Sequence, residues 1–126
     1  MSAIRWLAAV ALGCALACGG PRASAPTDPR QPVRAYFAAV RDGDCPRLRS
    51  MVTGAAKQRL AGSGCEDVLR EFTEHGAQLL GVVRVRKDGR APDRRLVDAQ
   101  IRVGSDTRTI VVGVREVEGS WVVEEI

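Results

Sequence analysis

The chain reads as an α+β domain, with helices first and an antiparallel sheet after them. Two observations predict this. Apolar residues recur at three- and four-residue spacing from residue 32 to residue 76, then at two-residue spacing from residue 79 to the end. Short turn signals punctuate the second half, and short turns join antiparallel neighbours. With 126 residues, 45% hydrophobic and 27% charged, the chain has the size and composition of one globular domain.

The helical elements follow in order. Val33, Tyr36, Phe37 and Val40 fall at i, i+3, i+4 and i+7, which is one apolar stripe. That helix opens at Pro32, and Gly43 is a natural stop. Asp44 is placed to cap a second helix with Pro46 in its first turn. Leu48, Met51 and Val52 supply its buried side. Residues 53–60 leave room for a further helical turn or two. Ser63-Gly64-Cys65-Glu66 has the form of a capping box and opens a third helix. Val68, Leu69 and Phe72 give it an inner face, and Gly76 ends it. Gly54, Gly62 and Gly64 mark the segment between as floppy.

The strands come next. "LLGVVRVRKDG" is a strand ending in the turn signal Asp88-Gly89. Val97, Ala99, Ile101 and Val103 alternate with Asp98, Gln100 and Arg102, so one side meets the helices and the other meets solvent. Gly104-Ser105-Asp106 and Glu118-Gly119-Ser120 are the remaining turns. The expected architecture is three N-terminal helices on one face of a four-stranded antiparallel sheet. Arg84, Arg86, Arg102 and Arg115 are placed to line the outer sheet face with Glu124 or Glu125.

The N-terminus is different in kind. Residues 6–17 form an uncharged apolar run of twelve behind Arg5. A membrane-crossing helix needs about 20 such residues, so the run reads as the core of an export leader. Its end, Ala15-Leu16-Ala17-Cys18, resembles a bacterial lipobox, and Ala11-Leu12-Gly13-Cys14 is a second, weaker match. The resemblance implies cleavage before Cys18, with lipid attached to that thiol. Cys18 leaves the longer apolar run and is followed at once by a tether, so Cys14 is the alternative. The expected division is a signal peptide at 1–17, a lipidated cysteine with its Pro/Gly-rich tether at 18–31, and a folded domain at 32–126. A lipid-anchored domain of this kind belongs on a bacterial envelope membrane. The absence of Asp after Cys18 favours the outer membrane. A secreted protein that loses both thiols with its leader is the competing expectation.

The folded part resembles NTF2-like domains. "VRAYFAAVRDGDCPRLRSMV" looks like their opening, where a first helix carries an aromatic, ends in Gly-Asp and precedes a short second helix. "EGSWVVEEI" looks like their last strand. The resemblance implies that the sheet is curved and wraps the helices as a cone, often around a pocket. Members include isomerases, dehydratases, transport factors and small exported lipoproteins.

Chemistry is sparse. Formal charge is +4, but 19 basic and 15 acidic residues are interspersed and only five residues are aromatic. No clustered basic face with stacking platforms is present, which argues against nucleic-acid binding. Cys45 and Cys65 open the second and third helices, and in an exported protein they are expected to pair. One buried and one reactive thiol is the alternative. With His75 as the lone histidine, no metal-ligand spacing is present, and no motif implies a cofactor.

Three residues are candidates for catalysis. Tyr36 resembles the tyrosine that polarises substrate oxygen in ketosteroid isomerases, which also need a carboxylate. Asp98 is the acid available, although Gln100 and Arg102 beside it in the alternation place it towards solvent. His75 lies four residues after Glu71 at a helix end, with no assignable nucleophile. The expectation is therefore a non-enzymatic envelope lipoprotein, monomeric or homodimeric, binding a small apolar ligand or an envelope protein. An isomerase or dehydratase using Tyr36 and Asp98, and a dimeric structural module joined through its sheet, are the alternatives.

Overall fold

The computed structural model describes residues 28–126. The leader, Cys14, Cys18 and most of the tether lie outside the described residues.

Helices α1 (Arg30–Asp42), α2 (Cys45–Ser50), α3 (Gly54–Arg59) and α4 (Gly64–Glu74) precede strands β1 (Gln78–Lys87), β2 (Arg94–Val103), β3 (Asp106–Val117) and β4 (Ser120–Glu125). The strands form one antiparallel sheet in the order β1-β2-β3-β4. Helix α1 begins at Arg30, two residues ahead of the expected start. Pro32 then sits in the first turn, where a missing N–H costs nothing. Gly43 ends α1 in the left-handed conformation with φ 66°, as anticipated. Asp44 caps α2 by accepting from the Arg47 N–H at 3.1 Å.

The helix count differs from expectation: the described residues hold four, because residues 54–59 form α3. A long-range contact explains it. Val52 pairs in parallel with Val123 of β4. The Thr53 N–H donates to the Val123 carbonyl at 2.8 Å, and the Val123 N–H donates to Met51 at 3.0 Å. This bridge docks the α2–α3 junction on the last strand, and Ala56 and Leu60 are then buried. No local periodicity announces such a contact.

One further expectation needs correction. Ser63 precedes α4, but its side chain makes no capping hydrogen bond, so the capping box is not formed. One of the three glycines between the cysteines also has a packing role. Gly64 packs so closely on the Arg59 carbonyl that a methyl group there would collide with it. The glycine is required by a close approach.

Cys45 and Cys65 form a disulfide with Cα atoms 6.0 Å apart, closing a span of 20 residues around α3. Both cysteines belong to the core, at 8% and 0% exposure. In the helix–sheet layer Val33, Tyr36, Phe37 and Val40 of α1 meet Val97, Ala99 and Ile101 of β2, Val112 and Val114 of β3, and Trp121 and Val123 of β4. Helix α1 lies on β1, β2 and β4. Among the described residues, this hydrophobic core cluster runs from Val33 to Val123.

The hairpins differ in kind. Six residues separate β1 from β2, with the Asp88 carboxylate accepting from the Arg90 N–H at 3.0 Å. Glu118 and Gly119 both take positive φ (51° and 81°), which a two-residue turn of matching twist demands.

Candidate functional site

The sequence put Tyr36 and Asp98 forward as a catalytic pair. The fold separates them. Val97 and Ala99, fully buried under the helices, flank Asp98 along β2. Successive strand side chains point to opposite faces, so Asp98 projects from the outer face while Tyr36 lies in the helix layer. The solvent-side placement therefore holds, but exposure does not: Asp98 is 6% exposed. It is covered by Arg84 and Arg86 of β1. Arg84 Nε donates to Oδ2 at 3.0 Å, while Arg86 donates through Nε at 3.1 Å and Nη2 at 2.7 Å. The hydrogen bonds from Arg86, then those from Arg84, hold the Asp98 carboxyl below the usual carboxylate range despite desolvation.

Tyr36 is 1% exposed and packs edge-on against Phe37, with ring centroids 5.9 Å apart. Burial pushes its phenol above the ordinary value, partly offset by the positive charge of Arg59. It is a core aromatic, held neutral.

A second ionic cluster lies on the same outer face. Arg94 reaches Asp88 at 2.9 Å, Glu124 at 3.2 Å and Glu125 at 2.7 Å. Its Nε is within ion-pair distance of Glu124 but misaligned for a hydrogen bond, and it is buried without one. The guanidinium fills the space that a side chain on Gly113 would take. Arg115 binds Asp93 at 2.8 Å and also Glu124, and these two acids raise its pKa well above the usual arginine value. Apart from the Arg94 Nε, the charges of this cluster engage one another.

A cleft of about 300 Å³ lies beside this cluster, bordered by Asp88, Arg90, Arg94, Leu96 and Glu125, and the more apolar open space is elsewhere. A cleft of about 400 Å³ lies between the ends of α1 and α4 and the start of β1. Phe37, Val40, Phe72, Ala77 and Leu79 give it apolar walls, and Arg41, Thr73 and Gln78 edge it. A neighbouring cleft of about 340 Å³ is lined by Phe72, Ala77, Ile101 and Val103, with Glu71, His75 and Arg108 at its edge. Phe72 and Ala77 belong to both. Phe72 holds its place by stacking edge-on to Phe37 at 5.7 Å. Tyr36 and Asp98 line neither cleft.

His75 lies at the edge of the second cleft. Its backbone carbonyl accepts from the Gly104 N–H at 2.9 Å, which ties the end of α4 to the β2–β3 turn. Glu71, four residues before it, pairs with Arg59 at 3.2 Å. Among the described residues no group of three or more acidic, histidine or cysteine side chains is arranged to hold a metal ion.

Among solved structures, the chain is similar to a designed NTF2-like protein at 12% identity and TM-score 0.50, covering 73% of this chain and 88% of that one. The fold is NTF2-like. At this identity the likeness concerns the fold alone. The chain is also similar to a de novo designed protein with a curved β-sheet, at 19% identity and TM-score 0.45, over 74% of this chain and 90% of that one. No family model and no curated protein matches the chain.

Sequence reasoning found Phe37, Val40 and Phe72 as inner-face residues, but not that they border open space. It missed Arg94 and Arg108 altogether. Nothing in the linear pattern distinguishes either from the other arginines, because their roles come from residues far along the chain.

Proposed function

We propose that this chain is a non-enzymatic envelope lipoprotein whose NTF2-like domain binds a small apolar ligand in the two clefts that share Phe72 and Ala77. The observation that carries the proposal is the apolar lining of those clefts by Phe37, Val40, Phe72, Leu79, Ile101 and Val103. Their volumes fall at the small end of the range, about 300–1,000 Å³, typical of small-molecule sites. A catalytic reading lacks support from the residues proposed for it, since Tyr36 and Asp98 stand on opposite sides of the sheet.

Lipid on Cys18 would anchor the domain to the membrane. One acyl chain binds marginally, at about 0.8 kcal/mol per buried methylene, and two or three hold firmly. Cys18→Ser is expected to move the protein out of the lipidated membrane fraction, whereas Cys14→Ser leaves it there. The reverse result would reassign the attachment.

Native mass spectrometry of residues 19–126, purified gently from a periplasm, tests the ligand. Extra mass on a monomer, lost in Ala77→Leu, is the expected result. A bare dimer would favour the sheet-joined module instead. A bare monomer that also fails to take up an apolar dye would overturn ligand binding and leave a protein partner.

A further inference from the structure

We infer that the ligand is a single-chain amphiphile with an anionic head, and that Arg108 selects it. This rests on the proposal that the clefts bind an apolar molecule. The second cleft is not uniformly apolar. Its walls are Phe72, Ala77, Ile101 and Val103, and its edge carries a guanidinium.

Arg108 stands opposite Ile101 in the β2–β3 register, on the strand face that turns towards the helices. Most of the sheet's other arginines are spent: Arg84 and Arg86 on Asp98, Arg94 on Asp88 and two glutamates, Arg115 on Asp93 and Glu124. Arg95 lies over the Trp121 ring at 5.4 Å. Arg108 makes no ion pair with any described residue. Two acids are near enough to matter. Glu71, at the same cleft edge, is engaged by Arg59 at 3.2 Å. Asp106, two places back along β3, forms no ion pair with Arg108.

An apolar wall ending in an unpaired planar cation matches a hydrocarbon body ending in a carboxylate, which guanidinium can bind through two N–H groups. A neutral apolar molecule would leave that match unused. A cationic one would be repelled.

Calorimetric titration of residues 28–126, after a thermal melt shows cooperative unfolding, compares three probes below their micelle concentrations: decanoate, decanol and decyltrimethylammonium. All three carry a ten-carbon chain and differ in head-group charge. Decanoate is expected to bind about fivefold more tightly than decanol, the effect of one solvent-exposed ion pair, and the cation more weakly than either. Arg108→Gln should erase the difference between decanoate and decanol, and Arg108→Glu should invert the charge preference.

If all three probes bind the wild type alike, the clefts take apolar ligands and Arg108 selects none, so this inference alone fails. If decanoate keeps its advantage in Arg108→Gln, another cation makes the contact, and the assignment is overturned. If no probe binds, the cleft proposal fails with it. A free amphiphile also predicts that the domain does not sediment with anionic phospholipid vesicles. Sedimentation abolished by Arg108→Gln would make the ligand a bilayer lipid and overturn the free one.

Discussion

Tyr36 and Asp98 lie on opposite faces of the same sheet, one packed among the helices and the other capped by Arg84 and Arg86. Each is buried, yet by different means: Tyr36 by apolar contact and Asp98 by its own counter-ions.

Tyr36 should therefore behave as a packing residue. Tyr36→Phe is expected to leave apolar-dye binding unchanged and to alter stability by no more than about 1 kcal/mol. Tyr36→Ala should cost about 3–5 kcal/mol, as expected for removing a buried aromatic. Urea denaturation of both variants, with dye binding in parallel, checks this. Loss of binding in a stable Tyr36→Phe would return the tyrosine to the site.

Asp98 should make the domain acid-sensitive. Its carboxyl is held below the ordinary value, so its stabilising contribution is complete above the unfolded value of about 3.9 and is lost as pH falls through the lower folded one. Asp88 is shifted the same way, first by the Arg90 N–H that it accepts. The urea midpoint should fall on acidification from about pH 5 towards pH 2. Asp98→Asn should start lower and fall less. Equal slopes would show that Asp98 contributes nothing to acid stability.

The disulfide should carry much of the stability of the helical half. Closing a loop of this size is worth about 3 kcal/mol through loop-closure entropy. The Cys45→Ala/Cys65→Ala variant is expected to lose about that much in urea. Thiol titration of the denatured, unreduced domain should find no free thiol at positions 45 and 65.

Gly64 should tolerate no side chain. Gly64→Ala is expected to cost about 2 kcal/mol or more, because backbone must move to relieve the collision with the Arg59 carbonyl. At Gly89 nothing lies within 4 Å of an added methyl. Gly89→Ala should therefore stay within about 0.5 kcal/mol of the wild type. Thermal melts of the two side by side would expose any error in this packing.

Much of the fold was legible because its signals are local. The stripe from Val33 to Val40 repeats at helical spacing, and Val97, Ala99 and Ile101 repeat at strand spacing, whatever they later pack against. Asp44 caps α2 through a hydrogen bond to a residue three places on. The tight Glu118-Gly119 turn needs only its own two dihedral angles. Helix α3 was missed as a separate element because its position depends on the Val52–Val123 bridge, which spans most of the domain.

By itself, then, the sequence determined the order of helices before strands, the inward face of each and the cysteines that meet. Each follows from periodicity, capping chemistry or cysteine placement within a short stretch of chain. Only the tertiary structure decided that Asp98 is buried by two arginines, that Arg94 gathers three carboxylates and that Arg108 stands at an apolar cleft. The physical reason is the same for all three. A charge acquires its partner, or lacks one, from strands brought alongside it by folding, and a cleft exists where packed elements fail to meet.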